Sequence, residues 1–307
     1  MFKVSVIMAS YNHSKYIAKA IENILSQSFS DFELIIIDDG SKDESYDVIM
    51  NYLNRDKRIK AYLHEKNQGI AKTVNEGMDR STGEYLAFAS SDDIWMENKL
   101  LRQVDIVKSH PNVVIWSDGR IIDAEGRENA QTLLEYYKKL KKKKSGRIFK
   151  ELLSGNYVAS QTLLFNRVIS EAVRFRQGLK YLSDYMFNLD MSFRFPFIFI
   201  DEPLFQYRIH GNNSIFRDHQ NWEKDDVLCK TMILNEYYRF LSRKQKGRIY
   251  NFLSNYYSRQ DSTEKCMEYA SKAVLNYPFR IAYWRTYFKM RSQKTKKAIA
   301  SKTTMSL

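Results

Sequence analysis

The chain has 307 residues, 44% of them apolar, and 49 Lys and Arg against 36 Asp and Glu give it a net charge of +13. That length holds one large α/β domain with a smaller appendage and a sizeable core, so a globular protein is expected. No apolar run of the ~18 residues a bilayer span requires occurs, and Met-Phe-Lys leads straight into a core-like strand; the expectation is a cytoplasmic protein with neither a membrane span nor a cleaved signal peptide.

In chain order, Val4, Val6, Ile7 and Met8 form a short, nearly continuous apolar run, the pattern of a strand covered on both faces. A loop at Ser10 to His13 follows, and Ile17, Ala20, Ile21, Ile24 and Leu25 then recur at helical spacing behind a candidate Ser14 cap. Leu34 to Ile37 is the next strand. Ser41-Lys-Asp-Glu44 has the form of a capping box ahead of Ile49, Met50 and Leu53, so Asp38 to Ser41 falls in the turn between strand and helix. A strand at Ile59 to Leu63, a helix at Ile70 to Met78 and a strand at Tyr85 to Ala89 complete a β-α-β order, which predicts a parallel, doubly wound sheet. A strand-like Phe205 to His210 gives way near Asn212 to Gln220 to helical periodicities, giving an expected division into 1–218 and 219–307. Cys229 and Cys266 fall among those helical patterns with no histidine pair at ligand spacing, and read as ordinary partly buried thiols.

Three apolar strands thus deliver polar groups at their carboxyl ends, where an open α/β sheet builds a nucleotide site. Asp39 accepts hydrogen bonds only, so it suits the imide N–H of uracil or thymine and repels the bare ring nitrogen of cytosine; a plain capped turn is the other reading of Asp38-Asp39-Gly40-Ser41. Tyr11 either stacks on the base or packs on the first helix. Asp92 and Asp93 suit a hard divalent cation, or else cap a helix over Ile94 to Val107.

Taken together these runs resemble the inverting family 2 glycosyltransferases of GT-A fold over roughly residues 2 to 215. The resemblance is carried by Val-Ser-Val-Ile-Met-Ala-Ser-Tyr-Asn-His at 4 to 13, Ile-Leu-Ser-Gln-Ser at 24 to 28, Asp-Asp-Gly-Ser at 38 to 41, Asn67-Gln-Gly69-Ile-Ala-Lys72 with Asn75 and Gly77, Gly83-Glu-Tyr-Leu-Ala-Phe, Ser-Asp-Asp-Ile-Trp at 91 to 95, and Tyr207-Arg208-Ile-His210-Gly-Asn-Asn-Ser214. The N-terminal portion is similar to the spore-coat polysaccharide members of that family.

What the resemblance implies is an α/β GT-A domain, a nucleotide sugar donor, UDP- or dTDP-linked, and a glycan or lipid-linked acceptor. Ser10, Tyr11, Asn12, Asp39, Lys72, Ser90, Ser91, Arg208 and His210 would line the donor site. Asp92, with His210, would hold a divalent cation, Mn or Mg. Ser90 stands where the family has the first acid of its Asp-x-Asp element, and Ser183 stands in the first position of its acidic-acidic-aromatic triplet. Asp184 is then the catalytic base, unless it serves only as the N-cap of the helix carrying Met186, Leu189 and Phe193. A catalytically silent binding relative and a sugar-phosphate nucleotidyltransferase are the competing classes. The second usually needs a glycine-rich basic loop after the first strand, and Ala9 to Ser14 has no glycine; a dinucleotide dehydrogenase fails for want of G-x-G-x-x-G.

Positive charge gathers at Lys138 to Lys144 and from Arg280 to Lys302, a tail without an acidic residue. Phe279, Tyr283, Trp284, Tyr287 and Phe288 interleave with Arg280, Arg285, Lys289 and Arg291 in that tail. The pattern fits either a solvated basic face or a helix lying on an anionic membrane surface, and a nucleic-acid partner is not expected.

Overall fold

The computed structural model describes residues 3–138, 144–211, 213, 218–289 and 291–292, and divides into two units, Met1–Trp222 and Glu223–Leu307. The division falls in the first turn of the helix His219–Glu236.

The first unit is built on a nine-stranded sheet. Its strands are β1 (Val4–Ser10), β2 (Phe32–Asp38), β3 (Ile59–Leu63), β4 (Tyr85–Ser90), β5 (Ile94–Trp95), β6 (Val114–Ile122), β7 (Glu128–Thr132), β8 (Leu164–Asn166) and β9 (Phe197–Arg208). They lie in the order β3-β2-β1-β4-β8-β6-β9-β5, with β7 on β6. The first four strands are parallel, as the β-α-β order predicts, but β8 runs antiparallel between β4 and β6. Three residues are too few for a periodicity to announce them. All seven residues of β2 are buried, as a strand covered on both faces requires.

Register places the site. Ser10 pairs with Asp38 and Ala9 with Ser90, so the carboxyl ends of β1, β2 and β4 finish level with one another. A one-residue slip would turn every buried side chain of these strands to the opposite face. Helix α1 (Ser14–Leu25) covers the sheet through Ile17, Ala20, Ile21 and Ile24, and joins Val4, Val6, Met8, Leu34 and Ile36 in the core. Helix α2 (Ser45–Leu53) and helix α3 (Ile70–Arg80) follow their strands in the same way.

Three local expectations are corrected. Ser14 is the first residue of α1 and its N-cap, His13, makes no side-chain cap bond. The Ser41 to Glu44 capping box does not form: Ser41 donates its N–H and hydroxyl back to Asp38, at 2.8 and 2.7 Å, and closes the turn instead. The helix expected over Ile94 to Val107 is present only in its later part, because Ile94 and Trp95 pair with β9 and helix α4 (Lys99–Ser109) starts behind Asn98. Asp92 and Asp93 are therefore not helix caps.

The second unit is helical among the described residues. Beyond Glu236, Ser242 and Gln245 form a capping box ahead of a helix at Arg243–Arg259, which pairs with one at Thr263–Asn276. Tyr250, Ala273, Val274 and Tyr283 make its small core. Cys229 and Cys266 are fully buried rather than partly so, and neither forms a disulfide. No helix among the described residues is long and apolar enough to cross a membrane. Residues 139–143 of the basic run and 293–307 of the tail lie outside the described residues, as do Asn212 and Ser214 of the last motif.

Candidate functional site

The level ends of β1, β2 and β4 bring three loops to one edge of the sheet. After β2, Asp38 is consumed by Ser41, while Asp39 turns the other way. Its Oδ1 accepts from the backbone N–H of Gln68 at 2.8 Å and from His64 Nδ1 at 2.7 Å, and its Oδ2 from the N–H of Gly69 at 2.9 Å. Gly40 makes this division feasible. Its φ is +75°, and a Cβ there would meet the Lys66 carbonyl carbon at 2.8 Å.

The β1 loop is fixed by the same turn. Asn12 adopts a left-handed φ of 55°, receives the Lys42 N–H on its Oδ1 and donates its own N–H to Ser41 Oγ. Asn12 thus builds the loop, with its acceptor oxygen already used. Ser10 is buried with its hydroxyl unpartnered among the described residues, whereas Tyr11 and Lys72 are exposed.

Where β1 and β4 end, His13 joins the expected pair Asp92 and His210 in one cluster. His13 Nδ1 lies 2.7 Å from Ser91 Oγ, and its Nε2 lies 3.8 Å from Asp92 Oδ2. His210 Nε2, arriving after β9, lies 3.1 Å from the same oxygen. One ligand atom from each of His13, Asp92 and His210 lies within 4.8 Å of the others. Burial pushes the Asp92 carboxyl up, but the two imidazoles outweigh it and hold it below the ordinary range. Asp93 behaves oppositely. Burial and the neighbouring Asp92 charge raise it well above the usual value, and its Oδ2 has no partner among the described residues.

Two imidazole nitrogens and one carboxylate oxygen on one side of a point are a donor set that fits a divalent transition metal, and suit Mn better than Mg, which favours oxygen alone. The residues present therefore fit a cation, with His13 as a member that the motif contained but that only the fold reveals. Its partners stand 78 and more positions away.

Arg208 does not face outward. Its backbone N–H donates to Asp93 Oδ1, its Nε to the Asp92 carbonyl at 2.8 Å, and one Nη to the carbonyls of Asp123 and Ala124. Its guanidinium also lies over the Tyr16 ring at 5.0 Å, and that ring lies 4.8 Å from His210. The residue expected to touch the donor is, in the fold, the brace that holds Asp92. Ser90 receives the Gln161 amide on its hydroxyl at 2.9 Å, which ties β4 to the segment before β8.

Asp184 stands at the second position of helix α5 (Ser183–Arg194), whose N-cap is Leu182 with no side-chain cap bond. It is not a helix cap. Its Oδ1 accepts the Tyr185 N–H at 2.7 Å and its Oδ2 an Asn156 amide N–H at 3.2 Å. Burial, opposed only by these hydrogen bonds, pushes its carboxyl up to about 6. Tyr207 has its phenol pushed up by burial and then by Asp93, Tyr137, Asp92 and Asp184. A half-buried carboxyl whose pKa is pushed up to about 6 can take a proton from a hydroxyl.

Residues 5–173 match the family model described as Glycosyl transferase family 2. A glycosyltransferase of Rickettsia bellii is 28% identical over 237 residues, 77% of this chain but 33% of its own, so the chain spans about a third of that relative. TuaG of Bacillus subtilis, named for teichuronic acid biosynthesis, is 39% identical over 104 residues, 34% of this chain and 41% of its own. Among solved structures, residues 1–349 of Staphylococcus aureus TarS with UDP-GlcNAc match at a TM-score of 0.65 and 18% identity, covering 96% of this chain and 92% of that one. That likeness establishes the fold, which is of the GT-A type.

Proposed function

The chain belongs to glycosyl transferase family 2, whose model matches more than half of it, and from that premise we propose an inverting, metal-dependent transfer of a sugar from a UDP- or dTDP-linked donor to a hydroxyl on a glycan or lipid-linked acceptor in cell-surface polysaccharide synthesis. The observation that carries it is the His13-Asp92-His210 cluster at the strand ends, and Asp184, its carboxyl raised to about 6, is the base this reading assigns. The TarS fragment, named with UDP-GlcNAc, and TuaG, named for teichuronic acid biosynthesis, support the donor class and the polymer context.

In this reading Asp39 and Ser10 face the base and Tyr11 stacks on it, with Lys72 near the phosphates. His13, Asp92 and His210 would hold Mn or Mg, and a cation bound there would offset charge on the departing diphosphate. Asp184 Oδ accepts the proton of the acceptor hydroxyl as that oxygen attacks the anomeric carbon from the face opposite the phosphate. The configuration inverts in a single displacement through an oxocarbenium-like transition state. No covalent sugar intermediate forms on the chain. Arg208 acts indirectly, by keeping the Asp92 backbone in place.

The second unit supplies a candidate surface for a membrane-bound acceptor. Phe279 and Ile281 are 87% and 70% exposed, and Trp284 and Phe288 are exposed beside Arg280, Arg285, Lys289 and Arg291. An aromatic face with a basic margin fits reversible attachment to an anionic bilayer at the cytoplasmic side. The test of the activity is direct. Purified protein with UDP-sugars and a divalent cation should release UDP slowly and faster with acceptor, and inertness with every UDP- and dTDP-sugar would refute the assignment.

A further inference from the structure

His64 is the most unusual buried group outside the cluster just described. It follows β3, its side chain is 6% exposed, and both of its ring nitrogens meet carboxylates. Nδ1 lies 2.7 Å from Asp39 Oδ1 and Nε2 lies 2.8 Å from Glu76 Oε2. A neutral imidazole carries one N–H and one bare lone pair. With both carboxyls ionised it could satisfy one only by aiming its lone pair at the other, so the geometry favours protonation of both nitrogens.

The charges around the ring are arranged for that state. Asp39 faces it from the loop after β2; Glu76 faces it from α3, where Arg80 binds the other Glu76 oxygen at 2.8 Å and lies 3.8 Å over the Tyr62 ring of the ring's own strand. His64 also donates its backbone N–H to the Asp38 carbonyl. Signs therefore alternate along Asp39, His64, Glu76 and Arg80. Burial works against the His64 charge, but the two carboxylates outweigh it and raise its pKa above the ordinary 6.5. Glu76 feels burial pushing it up and is nevertheless drawn down by His64 and Arg80.

Asp39 is 4% exposed. A carboxylate that deep is costly unless paired, and the only cationic side chain bound to it among the described residues is His64. Three donors occupy three of its lone-pair directions, leaving one on Oδ2 for an outside N–H.

We propose that His64, held doubly protonated between Asp39 and Glu76, is a positioning residue that fixes and charge-balances Asp39 so that the site selects a nucleotide base carrying an imide N–H. The proposal rests on the reading of Asp39 as the base contact. It adds that the selectivity is set one residue further back and is conditional on a proton. Loss of that proton turns one carboxylate contact repulsive and releases Asp39 from its fixed orientation.

The readout is the ratio of UDP to CDP affinity, measured by calorimetry at saturating Mn, because diphosphate and metal contributions cancel in it. In the parent the ratio should hold at low pH and decline as pH rises through the His64 pKa. Glu76→Gln removes one of the two charges that keep the ring protonated without touching the ligand, and should move that decline to lower pH. His64→Asn keeps a donor toward Asp39 but no charge, and should give a ratio lower by about 10-fold, the scale of one charged hydrogen bond, with little pH dependence. Parent-like ratios in both variants at every pH, with Asp39→Asn abolishing the preference, would overturn the role of His64 alone. If Asp39→Asn keeps the preference for UDP, the base contact itself is wrong and the proposal falls with it.

Discussion

His13 Nδ1 and Ser91 Oγ stand 2.7 Å apart, and this contact decides which ring nitrogen is offered to Asp92. With Nδ1–H donating to the hydroxyl, Nε2 would keep its lone pair for a metal ion held beside the carboxylate, the arrangement that orients metal-binding histidines in general. A residue that looks like loop filler in the sequence thereby becomes part of the cluster.

Removing that ring should be felt first in metal affinity. His13→Ala is expected to weaken Mn binding by about 10-fold or more, and Ser91→Ala by a smaller factor, since it disturbs only the orientation of the ring. Titration of Mn followed by its electron spin resonance signal checks this, and parent-like affinity in His13→Ala would remove it from the ligand set.

Asp92 supplies the one oxygen shared by both imidazole contacts. Asp92→Asn is therefore expected to abolish Mn-dependent tightening of UDP and to lower transfer by at least about 10²-fold. Chelator should reproduce the loss in the parent and do nothing further to the variant. A chelator-indifferent parent would show that the cluster holds no working cation.

Asp184→Asn separates chemistry from folding. The amide cannot accept the acceptor's proton, so transfer at saturating donor should drop about 10²-fold or more while UDP-sugar affinity stays near the parent's. A variant that still transfers at the parent rate would send the search for the base elsewhere.

The raised pKa of Asp184 also fixes two pH dependences. Its carboxyl must be ionised to act as base, so kcat/KM should climb as pH passes through about 6. In stability the sign is opposite to that of a salt-bridged acid. The folded-state pKa lies above the ordinary 3.8, so the ionised form costs stability above about 6, and the cost fades as pH falls toward 3.8. Asp184→Asn should accordingly stabilise the protein by about 1 to 2 kcal/mol at pH 8 and by almost nothing at pH 4, as read from denaturant midpoints.

The exposed aromatic face makes a separate claim. Replacing Trp284 and Phe288 together by Ser should reduce co-sedimentation with phosphatidylglycerol vesicles at low salt, leaving UDP binding unchanged. Absence of sedimentation by the parent would eliminate the membrane reading.

Much of the first unit could be read from residues alone because its strands are short apolar runs flanked by amphipathic helices: Val4 to Met8, Leu34 to Ile37 and Tyr85 to Ala89 all lie within observed strands. Asp92 and His210 were legible as neighbours through the resemblance. What stayed hidden depends on contacts across long separations or on strands too short for periodicity. Ile94 and Trp95 look like the start of a helix, yet they pair with Gln206 and Phe205 of a strand that forms a hundred residues later. His64, Glu76 and Asn156 carry no local signature, since each acquires its role from a partner on another element. Arg208 shows the same limit: a cation beside a motif suggests phosphate, and only the fold shows its Nε and one Nη bonded to backbone carbonyls.

The separation of 118 positions between Asp92 and His210 has a consequence for the order in which the protein is made. A nascent chain that has emerged through β4 already owns the level ends of β1, β2 and β4, together with His13 and Asp92, and can begin to hold its turns. It lacks the third member until β9 has been synthesised and inserted between β6 and β5. Any ligand that needs all three side chains binds only the finished first unit and draws the folding equilibrium toward it. Fragments ending before residue 197 would then be insensitive to Mn in limited proteolysis, whereas the full chain would be protected.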